Sequence, residues 1–302
     1  MKFLLSISFV ILFSAFSGFG QGCIGSAKIV APVMDDATRT QYGQKLADAK
    51  AAYAQSPGDP DKLIWLGRRT AYLGKYPEAI RIFTEGIAKH SRDARLFRHR
   101  GHRHLTIRCF DEAIKDFETA AKLVKGKKDE IEPDGLPNAR NLPTSTLQSN
   151  IWYHLGLAHY VKGDFKRAAN AYKEAMKVSK NNDMLAATSH WYYMSLRRLE
   201  KNRDAERLLE PIDGDFEVVE NNDYLRLLRM YRDEVKADAL LDEIKGNSST
   251  LGNASIGYGL GAWFLYNGDK SRAAEIFSLV TAGNQWASFG YIAAEADLQR
   301  LR

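Results

Sequence analysis

An all-α solenoid of about six stacked helical hairpins, with a capping helix at each end, is the fold this 302-residue sequence predicts. Three observations carry that expectation. A large apolar residue followed by leucine or a substitute and then glycine returns about every 34 residues. A small residue stands four places before a large apolar one in the second half of each unit. The breaker cluster Ser56-Pro57-Gly58-Asp59-Pro60 sets the first helix off from the repeats, and a glycine marks the turn within the clearest units. With 45% hydrophobic and 26% charged residues, the composition is that of a packed soluble protein and excludes wholesale disorder.

The chain opens with Met1-Lys2 and an apolar run from Phe3 to Phe13, followed by small residues up to Cys23. One positive charge, a dozen apolar residues and a small-residue exit predict a secretory signal over 1–22. The run is shorter than the roughly 20 residues of a spanning helix. Gly20 and Gly22 suit cleavage before Cys23, which resembles the lipobox of bacterial lipoproteins and makes Cys23 a lipidation candidate. Gly20 stands where that motif prefers leucine and Gln21 where it prefers a small residue, so a soluble product cut near Gly20 is the alternative. The expected product is periplasmic or anchored at the outer membrane. Cys23 and Cys109 are the only cysteines, and they predict no disulfide framework and no CxxC metal site. Stability is therefore expected from packing alone.

Residues 23–36 read as a flexible linker and 37–302 as the solenoid. Ala37 to Gln55 forms the first helix, ended by the breakers Ser56-Pro57-Gly58-Asp59-Pro60. The first hairpin holds Trp65, Leu66, Gly67, then Gly74 at its turn, Ala79 and Phe83; the second holds Phe97, Gly101, Phe110, Ala113 and Phe117. The third is the clearest: Trp152, Leu155, Gly156, Gly163-Asp164-Phe165, Ala168 and Tyr172. A last copy carries Leu260-Gly261, Phe264, Gly268, Ala273 and Phe277. Two degenerate units lie between, on Tyr192-Tyr193, Leu196, Ala205 and Leu209, and on Tyr224-Leu225, Leu228, Ala237 and Leu241. Gly74, Gly163 and Gly268 suit left-handed helix caps, and Asp164 and Asp269 suit the helix starts after them. Trp286 to Arg302 predicts a final cap, with Leu298 and Leu301 inward and Arg300 and Arg302 outward.

These motifs resemble the tetratricopeptide repeat, W-x2-L-G-x2-Y followed by A-x3-F. The resemblance implies a right-handed α-solenoid whose first helices line a concave groove, and a role in holding protein or peptide partners. It implies no cofactor and no catalytic residue. The family's lysine and asparagine carboxylate clamp is not reproduced, since Ile64 and Arg68 occupy that part of the first unit.

One stretch, 126–146, breaks the period and adds 21 residues containing Pro133, Pro137, Pro143, Asp129, Glu130, Glu132 and Asp134. It is either a disordered loop or a flap over the groove. The run Lys89 to His104 is dense in arginine and histidine. Arg95, Arg98, His99 and His102 share one helical face there, and repeat register places them in the groove with Arg68, Tyr72, Tyr153, His190 and Arg197. A solvated face is one reading of these residues; recognition of an acidic peptide, phosphate or carboxylate is the other. Metal binding through His99, His102 and His190 is disfavoured by the flanking arginines, and nucleic acid by export and a net charge of only +6.

No Gly-rich phosphate loop, HExxH or G-x-S-x-G elbow occurs, and Cys109 reads as a structural thiol, so no catalytic set is predicted. Trp65, Trp152, Trp191 and Trp263 recur at repeat spacing, which packing explains. The expected function is a non-enzymatic scaffold of the cell envelope, binding an extended or acidic partner segment in a basic concave groove. The alternatives are an accessory subunit that binds through its convex surface and, more remotely, a hydrolase on a helical-repeat scaffold.

Overall fold

The structure, a computed structural model, describes Cys23 and residues 28–246 and 250–302. The expected signal segment 1–22 lies outside the described residues. Fourteen helices follow one another in the described residues: α1 Asp36–Gln55, α2 Pro60–Tyr72, α3 Tyr76–Lys89, α4 Ala94–Thr106, α5 Phe110–Val124, α6 Leu147–Lys162, α7 Phe165–Val178, α8 Asn182–Arg198, α9 Asn202–Leu209, α10 Asn222–Tyr231, α11 Ala237–Gly246, α12 Leu251–Tyr266, α13 Lys270–Ala282 and α14 Phe289–Leu301. From α2 to α13 they run as six successive helix–turn–helix units, of which α10 packs chiefly on α8 and α12, and α11 on α12, rather than on each other. The fold is an all-α helical repeat.

Each hairpin turns on a residue in the left-handed region. In order these are Gly74, Arg108, Gly163, Glu200, Asp233 and Gly268, with φ between 58° and 95°. Three are the glycines expected there. In the other three units the turn keeps its geometry while glycine is lost, and each non-glycine residue bears a steric cost of about 1–2 kcal/mol. The conformation of the turn therefore persists where its sequence signature does not.

Packing inside a hairpin explains the glycine and the aromatic of the repeat. A Cβ on Gly67 would stand 2.4 Å from the Phe83 ring, one on Gly156 2.7 Å from Tyr172, and one on Gly261 2.6 Å from Phe277. The first helix thus offers bare backbone to a ring of the second, and Phe83, Tyr172 and Phe277 are all at most 1% exposed. Helix starts are capped by side chains as the sequence suggested: Asp164 accepts from the Arg167 amide and Asp269 from the Arg272 amide.

Three features depart from expectation. First, Cys23 and Cys109 form a disulfide that joins residues 86 apart. The chain is stapled, and Cys109 is not a thiol. The Cys23 sulfur that lipidation would use is already bonded, and one sulfur cannot carry both a thioether and a disulfide. Second, the described residues ahead of the first helix, from 28 on, include packed side chains. Ile29 and Val30 lie against the core around Tyr76 and Trp286, and Pro32 covers Gly74.

Third, the last helix is not an outward cap. The segment from Trp286 returns to the first three hairpins: Trp286 stacks on Tyr76 at 6.1 Å, and Arg108 lies 3.9 Å from the Trp286 ring. Arg108 also bonds the Trp286 carbonyl and Glu295. Arg300, expected outward, turns in to Asp297 and to the Val161 carbonyl at the end of α6. Asp297 is fully buried and also takes Arg198 of α8 and the Tyr258 hydroxyl of α12. Helix α14 is thereby locked onto α6, α8 and α12 by a carboxylate whose lone pairs are all used.

Candidate functional site

Helices α2 and α4 stand side by side as the first helices of consecutive hairpins. Residues three and four apart on each bring Arg68 and Tyr72 beside Arg98, His99, His102 and Arg103. These six line a cavity of about 140 Å³, completed by Ala71, Phe83, Asn150 of α6 and Glu132, Asp134 and Ser145 of the insertion. Five of the nine residues expected in the groove, Arg68, Tyr72, Arg98, His99 and His102, meet there.

The insertion lies over this cavity. The Ile131–Thr146 bridge closes its base, the Glu132 amide donates to the Ser145 carbonyl at 3.2 Å, and Asp129 receives the Thr146 hydroxyl and the Gln148 amide at the start of α6. Its chain runs directly over the arginines. Arg68 donates to the Pro133 carbonyl at 2.8 Å and Arg69 to the Gly135 carbonyl at 3.0 Å. Both guanidinium groups also lie over the Trp65 ring, at 4.4 and 4.7 Å. Gly135 is required at this contact, because a Cβ there would fall 1.7 Å from the Tyr72 hydroxyl. The insertion is folded against α2 through these contacts.

Glu132 reaches deepest. Its carboxylate lies 3.0 Å from Arg98 Nε and 3.8 Å from His99 Nε2, and all three residues are buried. The Arg98 N–H does not point along the line to the oxygen, so Nε and Oε2 form an ion pair without a hydrogen bond. Arg98 Nη1 faces His99 Nδ1 at 3.0 Å. Arginine only donates, so His99 Nδ1 accepts and the ring proton sits on Nε2, the side of Glu132. Burial, and secondarily the surrounding arginines, hold His99 and His102 well below the usual histidine range, and His154 behind them likewise. The positive charge of the cavity therefore belongs to the arginines.

The other four expected site residues lie elsewhere. Arg95 points to the rim and is held by Asp93 and Asp61, both at 2.6 Å. Tyr153 is buried, its hydroxyl 3.4 Å from that of Tyr224, under the Phe289 ring of the returning C-terminal segment. His190 is fully buried, not groove-facing. It stacks between Tyr224 and Tyr231 and takes the Tyr231 hydroxyl at 3.2 Å, and burial pushes it down to about 3. Repeat register misplaced it because α12 packs against that face of α8. Arg197 bonds Tyr193 and Asn267 and covers the Tyr266 ring, apart from the cavity.

Among the described residues, the one group of three His, Cys, Asp or Glu side chains with ligand atoms within 4.8 Å of one another is Cys23, Cys109 and Glu112, and its two sulfurs are joined as the disulfide. Sequence reasoning missed Arg103 and Asn150 as lining residues. Arg103 was visible in the basic run, one position beyond the face that was counted.

A family model described as "Tetratricopeptide repeat" matches residues 149–182, which contain nearly all of the α6–α7 hairpin. No curated protein matches the sequence. Several solved structures are similar. A tetratricopeptide repeat protein from Parabacteroides merdae is 16% identical over 82% of this chain and 88% of its own, with a TM-score of 0.48. YrrB, described as a TPR protein with an unusual peptide-binding site, is 14% identical over 82% and 97%, with a TM-score of 0.44. MamA is 14% identical over 67% and 99%, also at 0.44.

Proposed function

We propose, from the premise that the chain belongs to the tetratricopeptide-repeat family, that its arginine face between α2 and α4 receives an acidic, non-helical segment of a partner protein. A protein–protein interaction scaffold is the general role of such a repeat array. The finer reading is carried by one observation: the chain already seats such a segment there, its own Glu132-Pro133-Asp134-Gly135. Two arginines take backbone carbonyls and a third takes the carboxylate. A partner of the same chemistry would displace the insertion, and the misaligned Arg98–Glu132 pair favours that exchange because a buried pair with unfilled hydrogen bonds gains little from staying closed.

The reading includes export to the bacterial cell envelope. The Cys23–Cys109 disulfide supports it, since such bonds persist in oxidising compartments and are rare in reducing ones. It also favours a freely soluble periplasmic product over a lipid anchor at Cys23. The role is non-catalytic.

A second reading, binding on the outer surface, is favoured by a groove of about 710 Å³ between α5, α6 and α7. Trp152 and Leu155 line it together with Lys122, Lys125 and Lys177.

Binding of a labelled peptide copying residues 129–137 tests the main reading. Gly135→Ala forces the insertion or Tyr72 to shift without changing any charge. The peptide should bind this variant at least about tenfold more tightly than wild type, the factor of 1.4 kcal/mol of released competition. Adding Arg68→Met and Arg98→Met should abolish the gain. No binding to the Gly135→Ala variant would end the acidic-segment reading; undiminished binding after both arginine changes would move the site to the outer groove.

A further inference from the structure

We propose that the cavity beneath the insertion is a binding site for a small free oxyanion of the phosphate or carboxylate type, anchored by Arg103. Three guanidinium groups line it, those of Arg68, Arg98 and Arg103, against the carboxyl groups of Glu132 and Asp134. Glu132 is committed to Arg98. Arg68 is satisfied by a carbonyl and the Tyr72 hydroxyl at 3.4 Å and has no carboxylate within ion-pair distance among the described residues. The Arg103 guanidinium has neither a hydrogen bond nor an ion pair among the described residues; the Tyr76 ring at 5.9 Å is its one cation–π contact.

A half-buried guanidinium beside the Tyr76 ring, lining the cavity with no counter-ion, carries a desolvation cost that a bound anion would relieve. The histidines facing the cavity add no positive charge, so an anion finds its counter-charge on the arginines.

Size and access select the ligand. A cavity of about 140 Å³ has room for several water molecules, enough for a small oxyanion. The insertion covers it through the Pro133 and Gly135 carbonyls, so a polypeptide cannot thread in while the cover stays. The ligand is therefore small and diffusible. This site shares Arg68 and Arg98 with the proposed partner site but needs the insertion in place, whereas a partner segment needs it displaced.

Calorimetric titration and thermal melting with inorganic phosphate, sulfate and acetate test the proposal, with chloride at matched ionic strength as the control for screening. The full chain is compared with Arg103→Met. Arg103 is half-buried and has no counter-ion, so removing its charge does not by itself destabilise the fold, and the variant should melt no lower than wild type in chloride. For wild type, one of the three anions should bind with a stoichiometry near one, and at a hundredfold excess over Kd should raise Tm by about 5 °C. Arg103→Met should lose both signals. Equal responses in the two proteins, or no heat from any of the three anions, would overturn the proposal. The peptide experiment with Gly135→Ala reads the partner site independently, so one site can fail while the other stands.

Discussion

Arg98 and Glu132 form a buried ion pair at 3.0 Å between a groove helix and the insertion, and neither Arg98 Nε nor Glu132 Oε2 has a hydrogen-bond partner. The pair is what joins the insertion to the concave face most deeply. Breaking one side leaves a charge with no compensation. Glu132→Met or Arg98→Met alone is expected to lower stability by about 3 kcal/mol, whereas the two together should recover most of that loss, because desolvation of both ions disappears. Urea unfolding of the two single variants and the double variant measures it. Strict additivity would show that the two residues do not act as a pair.

The left-handed turn residues separate backbone strain from side-chain contact. Glu200 and Asp233 occupy positions where other hairpins have glycine. Replacing either by glycine should raise stability by about 0.5 kcal/mol, as relief of the steric cost outweighs the added chain entropy. Arg108→Gly should do the reverse, since Arg108 also binds Glu295 and the Trp286 carbonyl and covers the Trp286 ring. Opposite signs in chemical denaturation would bear this out; a common sign would not.

Reduction should weaken the fold. The Cys23–Cys109 bond closes a segment of 86 residues, and the chain-entropy relation gives it about 4.5 kcal/mol of stabilisation. Cys109→Ser and the reduced wild type should melt at similar temperatures, both below the oxidised protein. An unchanged Tm on reduction would contradict a structural role for the bond.

Mild acid should destabilise the protein through its buried histidines. Burial lowers His99, His102, His154, His159 and His190 below the ordinary value of 6.5. The unfolded chain therefore takes up more protons than the folded one as pH falls below 6.5. Stability is complete above that value and is lost progressively beneath it, toward the lower folded-state values. Melting temperatures from pH 7.5 to 5 should decline steadily below about pH 6.5; a flat profile over that range would refute neutral burial of these rings.

The repeat was legible because its determinants are local. Gly67 with Phe83 and Gly156 with Tyr172 lie within one hairpin, so each unit announces itself. Even the degenerate units kept their buried positions, with Ala205, Leu209, Leu228 and Leu241 all in the core. The basic cluster was legible for the same reason, through helical spacing along α4. The return of α14 was not, since it depends on contacts such as Arg108 with Glu295, 187 residues apart. An amphipathic terminal helix has the same pattern whether it ends a stack or crosses it. His190 was misread in consequence, because the face that repeat register assigns to the groove is covered by later elements. The pairing of Cys23 with Cys109 has no local signature in the sequence.

Hydrogen exchange at the Glu132 amide, with and without a saturating acidic peptide, tests most directly whether the insertion is the resident occupant of the arginine face. That amide donates to the Ser145 carbonyl when the insertion is seated. It is expected to exchange slowly in the free protein and to lose protection as the peptide binds, in proportion to occupancy. Rapid exchange in the free protein, or peptide binding that leaves the amide protected, would contradict the assignment.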